Sequence, residues 1–213
     1  MPVINKVIAK ETVESVMSKI ESDIWDRLEA NLGIAGYKMD YPKELILVAF
    51  KEEQRLEVYS KDYSGTKLIK DYPFTATSGH LGPKLQEGDK QIPEGVYHVE
   101  YMNPNSSYHL SLKVSYPNEF DQSKTEFADI AEMGGDIFIH GKSATVGCIP
   151  IGDKAIEEVF VLTQKAMNNK VKVIISPRDF RSNTVHPKIE GIGWEDELYD
   201  LINDELKMIP LNR

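Results

Sequence analysis

Short strands framed by amphipathic helices make this an α+β chain: mainly β, with a sandwich- or barrel-like sheet and helices at both termini. Three observations predict it. First, "ELILVAF", "RLEVYS", "LIKDYPFTAT", "GVYHVEYM", "YHLSLKVSY", "DIFIH" and "VKVIIS" follow one another at close spacing, separated by turn-formers such as "SGT", "EGD", "PEG" and "NPNS". Second, in "TVESVMSKIESDIWDRLEANLG" the residues Val13, Val16, Met17, Ile20, Ile24 and Leu28 recur at helical spacing, and Gly33 is the expected stop. Third, "WEDELYDLINDELKMI" repeats the pattern near the end of the chain with Leu198, Leu201, Ile202, Leu206 and Ile209.

Close strand spacing favours mainly antiparallel pairing. One more helix interrupts the strands: "DKAIEEVFVLTQKAMNNK" puts Ile156, Val159, Phe160, Thr163 and Met167 on one face, with Asp153 expected as the N-cap. The resulting organisation is a helical segment over 1–40, a catalytic-sized sheet domain over 41–180, and a helical segment over 181–213 packed on the same domain. The terminal helices are expected to pack on the sheet or on each other.

Composition narrows the function. The 213 residues carry 34 acidic and 25 basic side chains, a formal charge of -9, and no basic cluster, which argues against nucleic acid as a partner. With 41% hydrophobic and 28% charged residues the chain has the make-up of an ordinary globular protein. No apolar run approaches the ~20 residues of a transmembrane segment, and "MPVINKVIAKETVESVMSKIESD" lacks the apolar core of a signal peptide. The one cysteine, Cys148, has no partner for an intrachain disulfide.

That cysteine stands in "FIHGKSATVGCIPIGD", eight positions after His140. His140 closes a strand and Cys148 sits in a glycine-flanked loop before a helix, so both can face one cleft. A thiol becomes a nucleophile as its thiolate, and an imidazole within reach can take the proton. Gly147 lets the backbone approach a substrate carbonyl, and the amides around Gly147 and Cys148 are candidates for an oxyanion hole. Gly141 lets the chain bend away so that its carbonyl can orient the His140 ring, in a place where no carboxylate is evident. On composition alone a lone cysteine is more often a buried, inert side chain.

A strand ending in "HG", a polar loop, and "GC" leading into a helix together resemble the catalytic segment of the L,D-transpeptidase family with the YkuD-type fold. The resemblance implies that His140 is the base, Cys148 the nucleophile and Gly141 the source of the orienting carbonyl. Upstream, "TSGHLGPKLQEGDKQIPEGVYHV" is similar to the family's "TPxGxY/F" stretch, with Gly79, Pro93, Gly95 and Tyr97 in the corresponding places. It covers about residues 43 to 176 and leaves both end helices unexplained. The interval from "HG" to "GC" is short, and "CIPIGD" replaces the family's usual run ending in Arg or Asn. This looks like a distinct branch, one that includes enzymes hydrolysing the bond between peptidoglycan and a covalently attached lipoprotein.

The resemblance implies a cysteine acyltransferase or hydrolase acting on peptidoglycan stem peptides, through a Cys148 thioester at diaminopimelate. An amine or water completes the reaction, and the abbreviated loop favours water. It implies no cofactor, no metal, a peptidoglycan-attached lipoprotein as a further partner, and a periplasmic or cell-wall location. Ser143, Thr145, Tyr108, His109 and Lys84 are candidate substrate contacts; for each, a locally satisfied or solvated side chain is the alternative. His80, His98, His109 and His186 show no metal-ligand spacing. Two readings from other classes stay open: a cell-wall binding module without turnover, and an intracellular cysteine peptidase.

Overall fold

The computed structural model describes residues 10–211, so part of the N-terminal stretch read for a signal segment lies outside the described residues. Thr12 opens helix α1 (Val13–Ala35) with a capping box: its hydroxyl accepts from the Ser15 amide, and the Ser15 hydroxyl accepts from the Thr12 amide. The helix runs through Gly33 and ends at Gly36, whose φ of 101° forms the left-handed cap. Leu32 and Ala35, on either side of the expected stop, are fully buried and continue the apolar stripe across it.

The first strands are β1 (Leu45–Phe50), β2 (Arg55–Asp62), β3 (Gly65–Pro73), β4 (Gly95–Ser106) and β5 (His109–Val114). After a short helix α2 (Glu119–Lys124) come β6 (Phe138–His140), β7 (Ile149–Pro150), helix α3 (Asp153–Ala166), β8 (Lys172–Ser176) and helix α4 (Glu195–Leu206). They form one eight-stranded sheet in the order β3-β2-β1-β8-β4-β5-β6-β7. Two neighbouring pairs, β1–β8 and β6–β7, are parallel and the others antiparallel. The two-residue β7 and the six-residue α2 are too short to leave a periodic signal and escape the sequence reading.

Strand β4 changes partner along its length. Gly95 to His98 pair with β8, and from Val99 onward the strand pairs with β5. This divides the sheet into two regions with different cover. In the first, β1 is buried at all six positions. Leu45, Leu47 and Ala49 join α1 and α3 in one apolar cluster, while Ile46, Val48 and Phe50 meet α4 in another. A strand buried on both faces reads as a continuous apolar run, which is what "LILVAF" is. The terminal helices therefore pack on opposite faces of the sheet. On α4 the buried stripe is Leu198, Tyr199, Ile202 and Leu206; Leu201, expected inside, is 46% exposed. Tyr199 takes the inner position because its hydroxyl finds a buried acceptor, Glu94, at 2.9 Å.

Candidate active site

In the second region β6 and β7 run side by side, with Ile139 opposite Ile149 and His140 opposite Pro150. Side chains alternate along a strand, so Ile139 and Ile149 enter the core and His140 points to the other face. Cys148 directly precedes β7. Its sulfur lies against the start of β6, donating to the Asp136 carbonyl at 3.4 Å and receiving the Phe138 amide. The parallel pairing thus sets base and thiol along a single short strand, one at each end.

His140 is 2% exposed, and the Tyr108 ring lies over it at 4.5 Å between centres with a 34° tilt. The expectation of an imidazole open to a cleft is corrected accordingly. Its Nδ1 stands 2.6 Å from the Gly141 carbonyl, which can only accept, so the proton belongs on Nδ1 and the lone pair on Nε2. Burial lowers the pKa of His140 and the bond to Gly141 opposes this in part. Glycine at 141 is a steric requirement: a Cβ there would stand 2.6 Å from Asp153 Oδ1 and 2.7 Å from the Tyr108 carbonyl. Asp153 is not the N-cap of α3. Gly152 occupies that position, and the Asp153 carboxylate instead accepts the Lys142 amide at 2.8 Å, fastening the loop after His140.

The expected oxyanion-hole amides are both engaged. Gly147 donates to Ser78 Oγ at 2.8 Å, and Cys148 donates to Thr145 Oγ1 at 2.9 Å while the Thr145 hydroxyl returns a bond to the Cys148 carbonyl at 2.6 Å. Gly147 has φ 94°, and a Cβ there would meet the Gln91 carbonyl at 3.0 Å, so the residue is needed both for its conformation and for the close approach. Burial raises the pKa of the Cys148 thiol; the Phe138 amide, Lys113 and Lys84 pull it down, and Asp136 pushes it up. Burial therefore favours the neutral form of each partner at rest.

The candidate contacts divide. Tyr108, at the turn before β5, and Thr145 adjoin His140 and Cys148 respectively. Ser143 is exposed on the intervening loop. His109 turns away to Glu157 of α3 at 2.9 Å, with φ 75°, so it does not simply alternate with Tyr108 across one strand. Lys84 is 6% exposed and held by Asp89 at 2.8 Å rather than solvated. Sequence reasoning missed Ser78, although it precedes the singled-out Gly79. It also missed Lys113, whose place was readable: in "HLSLKV" Ser111 and Lys113 alternate with Leu110, Leu112 and Val114, and Ser111 pairs with His140.

Residues 44–175 match the L,D-transpeptidase catalytic domain, YkuD. The chain belongs to this family. It is 32% identical over 120 residues to YafK of Escherichia coli (strain K12), an L,D-transpeptidase by provisional name; the match takes in 55% of this chain and 46% of YafK. The chain spans about half the length of the curated relatives it matches. Among solved structures it is similar in fold to the helical cell shape determining protein Pgp2 of Campylobacter jejuni, at 24% identity and a TM-score of 0.50 over 83% of this chain and 60% of that one. The K307A mutant of Pgp2 gives 21% identity and 0.51 over 92% and 61%. The L,D-transpeptidase domain thus accounts for β1 to β8 with α2 and α3, and leaves α1 and α4 outside the matched residues.

Proposed function

We propose that this L,D-transpeptidase-family chain acts on peptidoglycan stem peptides as a cysteine-dependent enzyme, with Cys148 as nucleophile and His140 as base. One observation carries the reading: Nδ1 of a buried, Tyr108-covered imidazole is tied to the Gly141 carbonyl, which leaves Nε2 as a free base beside the strand that bears the sulfur. To react, the thiol leaves the Asp136 carbonyl, turns to Nε2 and gives up its proton as sulfur attacks the carbonyl of a diaminopimelate residue. His140 then delivers that proton to the departing amine, and the thioester passes to an amine or to water.

The tetrahedral intermediate places a charged oxygen near the Gly147 and Cys148 amides. An anion is roughly twice as strong an acceptor as a neutral hydroxyl, so it can replace Ser78 and Thr145 as the partner of those amides. The family supports a cell-wall substrate and a periplasmic site of action, and a lipoprotein attached to peptidoglycan is a further substrate of this chemistry. No helix among the described residues is long and apolar enough to cross a membrane.

Mass spectrometry of purified muropeptides incubated with the protein tests the proposal. Shortened stems, released amines or new diaminopimelate-linked dimers are expected with the wild type and absent with Cys148→Ala. Unchanged tetrapeptide and lipoprotein-linked stems would overturn it. Water as acceptor predicts release without dimers.

A further inference from the structure

Three lysines are buried among the described residues, Lys51, Lys84 and Lys113. Two have carboxylate partners: Lys51 pairs with Glu94 and Lys84 with Asp89, each at 2.8 Å. Lys113 is 8% exposed and has none among the described residues; its ammonium donates to the carbonyls of Gly135 and Val114 and stands 5.5 Å from the centre of the Phe138 ring. Carbonyl dipoles only partly compensate a desolvated ammonium, so a buried lysine of this kind lacks its counter-charge in the resting protein. Its charge reaches the Cys148 sulfur. The Gly135 carbonyl that Lys113 holds is followed in the chain by the Asp136 carbonyl that receives the Cys148 thiol. Lys113 is also the cross-strand partner of Phe138, whose amide reaches the same sulfur.

The pair itself does not provide for negative charge, since burial favours neutral His140 and neutral Cys148. We propose that Lys113 is the positioning residue that supplies the counter-charge for the anion forming on Cys148, an inference that rests on Cys148 being the nucleophile. As the thiol proton passes to His140 Nε2, the charge left on sulfur is opposed by the Lys113 side chain, which takes no part in the proton transfer. Lys113 also fixes the loop whose carbonyl parks the thiol between turnovers. Asp136, exposed on that loop, acts against the ammonium, and Lys84 is largely neutralised by Asp89.

The rate of Cys148 alkylation by iodoacetamide, followed from about pH 5 to about pH 10, reads the effect directly. Lys113→Gln keeps a donor and removes the charge; it should move the midpoint up by about one pH unit and slow labelling at neutral pH about tenfold, while Lys113→Arg stays within about twofold of wild type. An unmoved midpoint in a folded Gln variant overturns the role of Lys113 and leaves the nucleophile in place. A wild type that labels only on denaturation overturns both. If the Gln variant does not fold, the wild type decides by itself. Anionic iodoacetate should gain on neutral iodoacetamide by about threefold or more relative to a free small thiol, and the gain should fade in about 1 M salt. A ratio no greater than that of the free thiol overturns the proposal.

Discussion

The two ends of the sheet are built on different terms. Around β1, β2 and β8 both faces are covered by helices through two apolar clusters, with buried ion pairs such as Arg181 with Glu57 and Asp179 beside β2. Around β5, β6 and β7 the core face is covered by α3, while the other carries Ser111, Lys113, Phe138 and His140 with Tyr101, Tyr108 and Cys148 beside them. The first end is held by area removed from water, which tolerates small displacements. The second is held by single hydrogen bonds to carbonyls and hydroxyls, each of which fixes one atom. Removing the Cys148 sulfur should take chemistry from the second end with little loss of fold, and fold can be damaged at the first with little change in chemistry.

The largest expected effect is at the sulfur. Cys148→Ala should bring turnover of muropeptides to background and abolish thiol labelling, while the midpoint of urea unfolding stays close to wild type. Residual turnover in the variant would remove the nucleophile from Cys148. Next is His140→Ala, expected to slow turnover by about 100- to 10,000-fold, the usual worth of general acid–base assistance. Because His140 is 2% exposed and stacked under Tyr108, this variant should also lose some stability, unlike a change at an open cleft. A variant keeping more than about half of the wild-type rate would break the pairing of His140 with Cys148.

The covered end predicts the reverse. Phe50 of β1 is fully buried in the cluster beneath α4, and Phe50→Ala should cost about 3–5 kcal/mol by denaturant titration. Labelling of Cys148 in the folded fraction should change by less than about threefold. A larger change would mean that the two ends are coupled and that the distinction between them is too sharp.

The same contrast governs how much the sequence discloses. The strands other than β7, with α1, α3 and α4, are legible because burial imposes a period on apolar residues; where the reading erred, at Gly33 and Leu201, the period continued past a glycine or gave way to a tyrosine with a buried acceptor. "HG" and "GC" are legible as residue types, and their meeting is not, because it depends on the parallel pairing of a three-residue and a two-residue strand. Nor can spacing announce that Ser78 and Thr145 occupy the amides of Gly147 and Cys148, since each bond is set by a loop conformation. Asp153 illustrates the limit: a good capping residue by type, it serves the Lys142 amide instead.

The smallest expected effect lies at the seam, where β4 changes partner. Asp121 of α2 accepts from the Asn118 amide at 2.9 Å and from the Tyr97 hydroxyl at 3.3 Å, and burial pushes its pKa up to about 6. A folded pKa above the unfolded value of about 3.9 means that the native state holds this proton more tightly. The contribution is complete below about pH 4, declines as pH rises through about 6, and is absent above it. Integrated over that window the loss is on the order of 2–3 kcal/mol. His140 has the opposite sign: burial depresses its pKa, so its contribution is present above the unfolded value of about 6.5 and lost as pH falls below it. Between about pH 4 and about pH 6.5 the contributions of these two groups are then expected to oppose each other. Asp121→Asn removes one slope and should gain stability relative to wild type as pH rises from about 4 to about 6, with no further gain above; His140→Ala should flatten the acid limb instead. Urea unfolding at several pH values distinguishes them, and parallel stability curves for Asp121→Asn and wild type would show that the carboxyl at the seam is ionised in the native protein across the whole range.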